Sequence, residues 1–294
     1  MSPVSKDQNA AIQAVLLDCG QQAQAAAAQP FEVFEKGFED YVTSVDRALD
    51  TQLAQAFSRQ FPADGVVTEE NRCSAAAFSC TQHHPNRRLW LIDPIDGTED
   101  FIHHGQYYSL MVGLLAQGTP QAGWIYGPAQ ERFYWGGPDW GLFQLGQGGE
   151  ALPLTPSAPP DAGGDHCPII LGDRDERRFG RAIAAAVPQL QSYALGSYGL
   201  KVMEVIKGQA GLYIYLNGRV KLWDTTGPLA LAQAAGLVCC DLDGEPIRFD
   251  STGVYPHSLI HRQPIVVGWP SYVDRFLAPI RQTVLTVRAA ELGI

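Results

Sequence analysis

An apolar segment that ends in two closely spaced carboxylates constrains this chain more than any other feature. The segment from Leu89 to Ile92 is continuously apolar, and it is followed at once by Asp93, Pro94, Ile95 and Asp96. An apolar run of this kind predicts a strand buried in a sheet, with both acids at its end. Two anions this close repel each other unless a cation lies between them. The segment therefore predicts a buried strand that leads into a cation site.

The ligand types in this segment favour a hard metal ion. Carboxylates and a backbone carbonyl, with neither Cys nor His among them, are typical of Mg2+ or Mn2+ sites and not of zinc sites. Gly97 and Thr98 follow the second acid, and their backbone N–H groups can point at an anion if they open a turn or a helix. The alternative interpretation is an Asp-Pro turn in which Asp96 and Gly97 close a hairpin.

Two further acidic positions bear on this choice. Paired acids at 69–70 end another short apolar segment, and Asp224 directly precedes a predicted helix. That helix is expected to begin at residues 225–228, where two hydroxyls can cap it and a proline suits the first turn, and to end before Gly236. Either position alone is typical of a solvated surface acid. Together with the first segment, they favour the cation site over the hairpin turn.

The first half of the chain predicts helices followed by a sheet. Residues 10–28 and 41–61 show a helical spacing of apolar side chains, and they flank a loop that carries Lys36 and Asp40. Short apolar runs between residues 66 and 135 are separated by glycine and proline. Such runs predict an antiparallel sheet.

A change of composition predicts a boundary near the middle of the chain. Proline and glycine are concentrated between residues 152 and 164, and predicted strands and helices alternate beyond them. We therefore expect an α/β protein made of an α+β lobe, residues 1–152, and an α/β lobe, residues 153–294.

Charge and composition exclude several classes of partner. The chain of 294 residues has 21 Lys and Arg against 31 Asp and Glu, a formal net charge of −10, which disfavours broad binding of a nucleic acid polymer. No segment approaches the roughly 18 to 20 apolar residues of a membrane-spanning helix. Residues 1–10 lack the apolar run of a signal peptide, so we expect a cytoplasmic protein. The six cysteines form no CxxC pair and are expected to be reduced thiols.

Four separated motifs resemble the signatures of the inositol monophosphatase family. They are VTSVD at 42–46, TEE at 68–70, DPIDGT at 93–98 and WDTTGPLALAQAAG at 223–236. The resemblance extends from Lys36 to about Ile247, and the four motifs occur in the order that the family has. It implies a Mg2+-dependent, lithium-sensitive phosphomonoesterase on a layered αβαβα sandwich of the sugar-phosphatase type. The family includes inositol phosphatases, fructose bisphosphatases and 3'-phosphoadenosine 5'-phosphate phosphatases.

Carried over by position, the resemblance implies two magnesium sites that share a ligand. One would be formed by Glu69, Asp93 and the carbonyl of Ile95. The second would be formed by Asp93, Asp96 and Asp224, so that Asp93 bridges both ions. Two or three ions are expected, with Mn2+ as an alternative to Mg2+.

The resemblance also implies catalytic and phosphate-binding residues. Thr98 and Asp46 are similar to the pair that orients and deprotonates the attacking water. The backbone amides of Gly97 and Thr98 are similar to the group that holds the phosphate. Lys36 would lie in the mobile loop that, in the family, approaches the third metal and the phosphate.

The substrate side resembles two branches of the family. Ser197, Lys201, Asn217 and Lys221 match substrate-binding positions. Asn217 stands where inositol phosphatases carry a Glu that binds the sugar hydroxyls, and the other three are similar to the nucleotide-phosphatase branch, although Tyr215 stands where that branch has an Arg. The implied function is hydrolysis of a small phosphate ester, inositol monophosphate or a related sugar phosphate. The alternative is a 3'(2'),5'-bisphosphate nucleotidase, and a monomer and a homodimer both remain open.

Two other functions fit the sequence less well. Haloacid-dehalogenase phosphatases carry DxDGT after an apolar strand and form an aspartyl-phosphate, but here Asp93 and Asp96 are three residues apart and lie a third of the way along the chain. A regulator that binds a phosphate ligand without turnover would not need the catalytic pair of Asp46 and Thr98, and both residues are present.

The histidine pairs His83-His84 and His103-His104 are not expected to bind metal. Neither pair has the i, i+4 partner of a helical zinc site. Both pairs are expected in surface loops, with His103 and His104 near the acidic site because they follow Thr98 closely.

Overall fold

The first part of the chain forms two capped helices joined through a hairpin. The computed structural model describes residues 2–37, 40–70, 77–79 and 87–293, so His83 and His84 lie outside the described residues. Helix α1 (Lys6–Ala27) begins at a capping box formed by Ser5 and Gln8. The hairpin β1 (Val33–Gly37) and β2 (Asp40–Thr43) leads into α2 (Ser44–Gln60), which Thr43 caps.

The next part of the chain forms a seven-stranded sheet among the described residues. Its strands, in order, are β3 (Gly65–Thr68), β4 (Arg88–Asp96), β5 (Ser109–Ala116), β6 (Thr119–Gly127), β7 (Arg132–Gly137), β8 (Gly141–Leu145) and β9 (Ala151–Pro153). The sheet is antiparallel except for β3, which runs parallel to β4. A short helix, α3 (Thr98–Ile102), follows β4 directly.

A second sheet of five described strands follows. Its strands are β10 (Cys167–Leu171), β11 (Leu190–Tyr193), β12 (Leu212–Tyr215), β13 (Val238–Cys240) and β14 (Ile265–Gly268). They lie in the order β11-β10-β12-β14-β13, with the first three strands parallel to one another and β14 antiparallel to both its neighbours.

Helices alternate with the strands of the second sheet. A helical segment begins with a short α-helical turn at Asp173–Asp175. It continues as a π-helical turn at Glu176–Gly180 and ends in α4 (Arg181–Ala186). The remaining helices are α5 (Tyr198–Ile206), α6 (Leu222–Ala234) and α7 (Pro270–Leu292). None of the helices in the described ranges combines the length and the apolar character that a membrane crossing requires.

These elements stack as helix, sheet, helix, sheet and helix, which confirms the predicted αβαβα sandwich. Helices α1 and α2 cover one face of the first sheet, α5 and α6 lie between the two sheets, and α4 and α7 cover the far face of the second sheet. One hydrophobic cluster includes Leu91 of the first sheet and Tyr213 of the second, so the core is continuous between them. The change from one sheet to the other lies between Pro153 and Cys167. The division into lobes 1–152 and 153–294 stays a prediction.

Three predicted helix starts and one predicted loop were wrong. Helix α1 begins at Lys6 and not at residue 10. Helix α6 begins at Leu222, not at 225–228, because the Asp224 carboxylate accepts a hydrogen bond from the backbone N–H of Lys221 (2.6 Å) and caps the first turn. Pro228 consequently lies inside the helix. The predicted helix over 41–61 begins only at Ser44, and the predicted loop around Lys36 is the strand β1.

Glycines let α6 lie directly on the first sheet. A Cβ atom built on Gly123 of β6 would stand 2.2 Å from the carbonyl oxygen of Gly227 in α6, and one on Gly113 of β5 would stand 2.5 Å from the Gly227 nitrogen. These separations are far below a van der Waals contact, so no side chain fits at either position. The contact brings the first turn of α6, which carries Asp224, to the end of β4.

We predict that Gly123→Ala destabilises the protein by roughly 1–3 kcal/mol, the usual range for an overpacked site, because its methyl group would push α6 off the sheet. The free energy of unfolding in urea, from denaturation curves, measures the effect. Gly172→Ala is the matched control, since Gly172 has an ordinary φ of −71° and its Cβ would have its nearest neighbour at 3.9 Å. Equal stability of the two variants would contradict the close contact.

Candidate active site

A single cavity collects most of the acidic residues that the sequence singled out. Its volume is about 870 Å³, and it opens between the end of β4 on one side and the ends of β11, β12 and the start of α6 on the other. The predicted metal and phosphate residues that line it are Glu69, Asp93, Ile95, Asp96, Gly97, Thr98 and Asp224. Residues from three separate segments of the chain therefore meet at one place.

An irregularity at the end of β4 brings its two acids together. Asp93 pairs with Met111 and Asp96 pairs with Ser109, and the register shifts between the two pairs, at the position of Pro94. The Asp93 carboxylate accepts a hydrogen bond from the Ile95 N–H (3.0 Å). This bulge lets both carboxylates face the cavity, which strict alternation along the strand would not guarantee.

Asp93, Asp96 and Asp224 form a compact carboxylate cluster. One oxygen from each lies within 4.8 Å of the others. Asp93 is 2% exposed and Asp96 is 8% exposed, while Asp224 is partly exposed. Oxygen donors alone, at this spacing, fit a hard divalent cation such as Mg2+ and not zinc. The ligand roles assigned to these residues stay predictions.

Burial and mutual repulsion act on the same three side chains. Burial raises the pKa of Asp93 well above its ordinary value, and the nearby charges of Glu69, Asp96 and Asp224 raise it further. Burial, with the charges of Glu69 and Asp96, raises the pKa of Asp224 to about 7. Each carboxylate thus disfavours the charge of its neighbours, and a divalent cation would relieve this repulsion.

Glu69 lies beside the cluster, directly after the strand that pairs with β4. Its backbone N–H donates to the Ile92 carbonyl (3.1 Å), which continues the pairing of β3 with β4 and sets Glu69 next to Asp93. The ammonium group of Lys36 lies 2.8 Å from Glu69 and 2.7 Å from Glu70. Burial alone would lower the pKa of Lys36, but the two carboxylates outweigh it and raise that pKa.

Thr98 and Asp46 are in hydrogen-bond contact. The Thr98 hydroxyl lies 3.2 Å from Asp46 Oδ1 and 2.9 Å from the Ile95 carbonyl oxygen. Asp46 is also held through its other oxygen by the N–H (2.9 Å) and the hydroxyl of Thr43. Burial raises the pKa of Asp46 to about 6, against the opposing effect of these hydrogen bonds. The pair fits the predicted water-orienting role, which stays a prediction.

Gly97 has a backbone conformation that favours glycine. Its φ is +87°, and a Cβ there would stand 2.8 Å from the Tyr107 carbonyl and 3.0 Å from the Ser197 nitrogen. Gly97 therefore makes the sharp turn from β4 into α3 and brings Thr98 back toward Asp46. Phosphate binding by the Gly97 and Thr98 amides stays a prediction.

The four predicted substrate residues divide into two pairs. Asn217 and Lys221 line the cavity. The Asn217 side chain accepts hydrogen bonds from the Tyr215 hydroxyl and the Arg219 N–H (3.1 Å), and the Lys221 ammonium lies 4.9 Å from the centroid of the Trp223 ring.

Ser197 and Lys201, by contrast, are buried in the protein. Ser197 donates to the Asp96 carboxylate, and the Lys201 ammonium donates to the Gly196 carbonyl (2.7 Å). Both side chains bind protein groups, and neither lines the cavity, contrary to the expectation from the sequence. Their substrate-binding role stays an untested prediction that this geometry does not support.

Four other residues that line the cavity were not identified as site residues from the sequence. Tyr107, Asp173, Arg174 and Arg219 line the cavity from loops and from the turn after β10. No motif marks these positions, because they reach the site only through the stacking of the two sheets. His103 also lines the cavity, in agreement with its expected position near the site.

Comparison with known proteins agrees with the family resemblance of the four sequence motifs. The model of the inositol monophosphatase family matches residues 4–283. A 3'(2'),5'-bisphosphate nucleotidase CysQ of Salmonella typhimurium is 28% identical over 230 residues, which cover 76% of this chain and 85% of that protein. An inositol monophosphatase of Mesembryanthemum crystallinum is 25% identical over 228 residues, which cover 75% of this chain and 79% of that protein.

The fold is also shared with a solved protein. An IMPase/NADP phosphatase complexed with Mg2+ and phosphate matches with a TM-score of 0.72 and 21% sequence identity, and the match covers 93% of this chain and 96% of that one. The family match spans the four motifs, the cavity and both sheets. The chain belongs to the inositol monophosphatase family.

Proposed function

We propose that this chain, a phosphomonoesterase of the inositol monophosphatase family, uses Mg2+ to hydrolyse a small phosphate ester by direct attack of water. The observation that carries the proposal is the cluster of Asp93, Asp96 and Asp224 in one cavity with the Thr98–Asp46 pair. The substrate that we propose is inositol monophosphate or a related sugar phosphate.

The carboxylates supply the metal-binding half of the proposal. Glu69, Asp93 and the Ile95 carbonyl would hold one ion, and Asp93, Asp96 and Asp224 would hold a second. Mg2+ bound there would act as a Lewis acid that lowers the pKa of water and neutralises charge on the phosphate oxygens. The carboxylates of the cavity would repel an anionic phosphate ester. They can therefore take part in binding it only when a cation neutralises their negative charge.

Thr98 and Asp46 supply the proton-handling half. As the water oxygen bonds to phosphorus, its proton passes to the Thr98 hydroxyl oxygen while the Thr98 proton passes to Asp46 Oδ1. The ester P–O bond breaks, and the leaving oxygen takes that electron pair and a proton from a solvent water to become the alcohol. The 3.2 Å contact between Thr98 and Asp46 and the Asp46 pKa of about 6 support this role. The Gly97 and Thr98 amides would hold the phosphate oxygens.

A bisphosphate nucleotidase is the second candidate. Arg174, Arg219 and Lys221 line the cavity on the side away from β4, where a second phosphate group would find cationic partners. Asn217 also lacks the negative charge of the Glu that inositol phosphatases carry there. The CysQ relative from Salmonella typhimurium is named for this activity.

A substrate panel tests the proposed function and separates the two candidates. We expect Mg2+-dependent phosphate release from inositol 1-phosphate, fructose 1,6-bisphosphate and 3'-phosphoadenosine 5'-phosphate, with kcat/KM values within about tenfold of one another, which is 1.4 kcal/mol in the barrier. A preference for the nucleotide of more than about a hundredfold would favour the nucleotidase. Absence of Mg2+-dependent release from all three would overturn the phosphatase proposal.

Asp93→Asn should abolish turnover, because it removes the one carboxylate that both ions would share. We expect kcat/KM to fall by well over tenfold and the rise of Tm on adding Mg2+ to disappear. Without metal the variant should be at least as stable as the wild type, since Asn relieves the repulsion and still offers an oxygen to the Ile95 N–H. Asp243→Asn is the control, because Asp243 is 62% exposed and pairs with Arg281 at the surface. A folded Asp93→Asn protein with more than about a tenth of wild-type activity would contradict the assignment.

Thr98→Ala and Asp46→Asn should each lower kcat by about 10²-fold, the typical contribution of a positioned acid or base, with Mg2+ affinity nearly unchanged. Because the two groups act in one proton relay, the double variant should lose little more than either single variant. Steady-state kinetics across Mg2+ concentrations measures both effects. If the losses multiply, or if only the Mg2+ requirement rises, the two residues do not form a relay.

A further inference from the structure

The Asp96 carboxylate is bound to the start of α5 before any ligand is considered. Its Oδ2 accepts hydrogen bonds from the Ser197 hydroxyl and from the backbone N–H of Gly199 (2.9 Å). Ser197 is 0% exposed and caps α5, and it lies 101 residues from Asp96 in the sequence. Both bonds fall on Oδ2, and the backbone N–H of Tyr198 is a further donor to this carboxylate, whose Oδ1 can still bind a cation.

The hydrogen bonds around Ser197 determine to which neighbour its hydroxyl donates its proton. The hydroxyl oxygen accepts from the Leu200 N–H (3.0 Å) and lies 2.8 Å from the Ser109 hydroxyl oxygen. A serine hydroxyl has one proton and two lone pairs. A carboxylate that binds a cation is ionised and can only accept, so with a cation bound the Ser197 proton goes to Asp96 and Ser109 donates to Ser197. The result is a chain of donors from Ser109 through Ser197 to Asp96.

The surrounding backbone fixes this chain of donors in place. Ser109 in β5 is the strand partner of Asp96 in β4, so the donor and the final acceptor are registered by the sheet. The Ser197 N–H donates to the Tyr107 carbonyl (2.7 Å), and the buried Lys201 ammonium binds the Gly196 carbonyl (2.7 Å). The segment that carries Ser197 is therefore anchored independently of its contact with Asp96.

We infer that Ser197, oriented by Ser109, is a positioning residue that fixes Oδ2 of Asp96 so that Oδ1 is presented to a cation shared with Asp93 and Asp224. This inference rests on the proposed magnesium site and deepens it. Ser197 is fully buried, its single proton is committed to Asp96, and both of its lone pairs are used. It therefore has no hydrogen bond left to offer to a substrate, although the resemblance suggested that Ser197 binds substrate.

The test uses Mg2+ alone with the metal-free protein, so that binding is measured without turnover. In isothermal titration calorimetry, Ser197→Ala should weaken Mg2+ binding by about 10- to 100-fold, the usual effect of losing a group that orients a metal ligand. Ser109→Ala should weaken it in the same direction by less, since it removes the orienting bond and leaves the cap of α5 intact. In assays, the Mg2+ concentration for half-maximal rate should rise in both variants, with the KM for the ester unchanged once Mg2+ saturates.

Ser5→Ala is the matched control, because Ser5 also caps a helix and lies outside the site. It should lower Tm through the lost cap and leave Mg2+ affinity unchanged. If Ser197→Ala fails to fold, Ser109→Ala decides the question.

Two results would overturn the inference: wild-type Mg2+ affinity in the folded variants, or a raised KM for the ester with Mg2+ binding unchanged. A wild-type protein that neither binds Mg2+ nor releases phosphate would instead overturn the proposed function.

Discussion

The repulsion among buried carboxylates is the constraint on which the rest of this structure depends. Asp93, Asp96 and Asp224 are brought within 4.8 Å of one another, and each additional charge makes the next less favourable. The fold offsets this with a separate backbone donor for each acid: the N–H groups of Ile95, Gly199 and Lys221. Three different elements must therefore meet at one point, and the layered sandwich is the arrangement that lets them meet.

Local rules predicted much of the first half of this arrangement. The apolar run before Asp93 predicted the buried strand β4. The helix predicted from residue 41 is present, but it begins at Ser44, directly after the capping residue Thr43. Local rules failed at α6, where the Thr225–Pro228 segment has the composition of a helix start. The real start lies one turn earlier because the Asp224 carboxylate binds the backbone N–H of the N-cap residue Lys221, so one side chain stabilises the helix start and lines the cavity.

Side-chain direction was the part that sequence reasoning could not supply. The motif around Ser197 identified a segment near the site, but Ser197 turns toward Asp96 because α5 packs against the end of β4. Lys36 was expected near a metal and a phosphate, and the structure pairs it with Glu69, which lies 33 residues away. Both contacts depend on long-range packing, which spacing along the chain does not record.

The backbone contact of α6 with the first sheet sets the position of one wall of the cavity, the wall that carries Asp93 and Asp224. With Gly227 seated against Gly113 and Gly123, no side chain of any size can be inserted to adjust the distance between Asp93 and Asp224. The opposite wall includes Ala194, Leu195, Asn217 and Arg219, which border the cavity from loops outside the two sheets. Substitution of the side chains on that second wall can therefore change the shape that the cavity offers to an ester without changing the spacing of the acids.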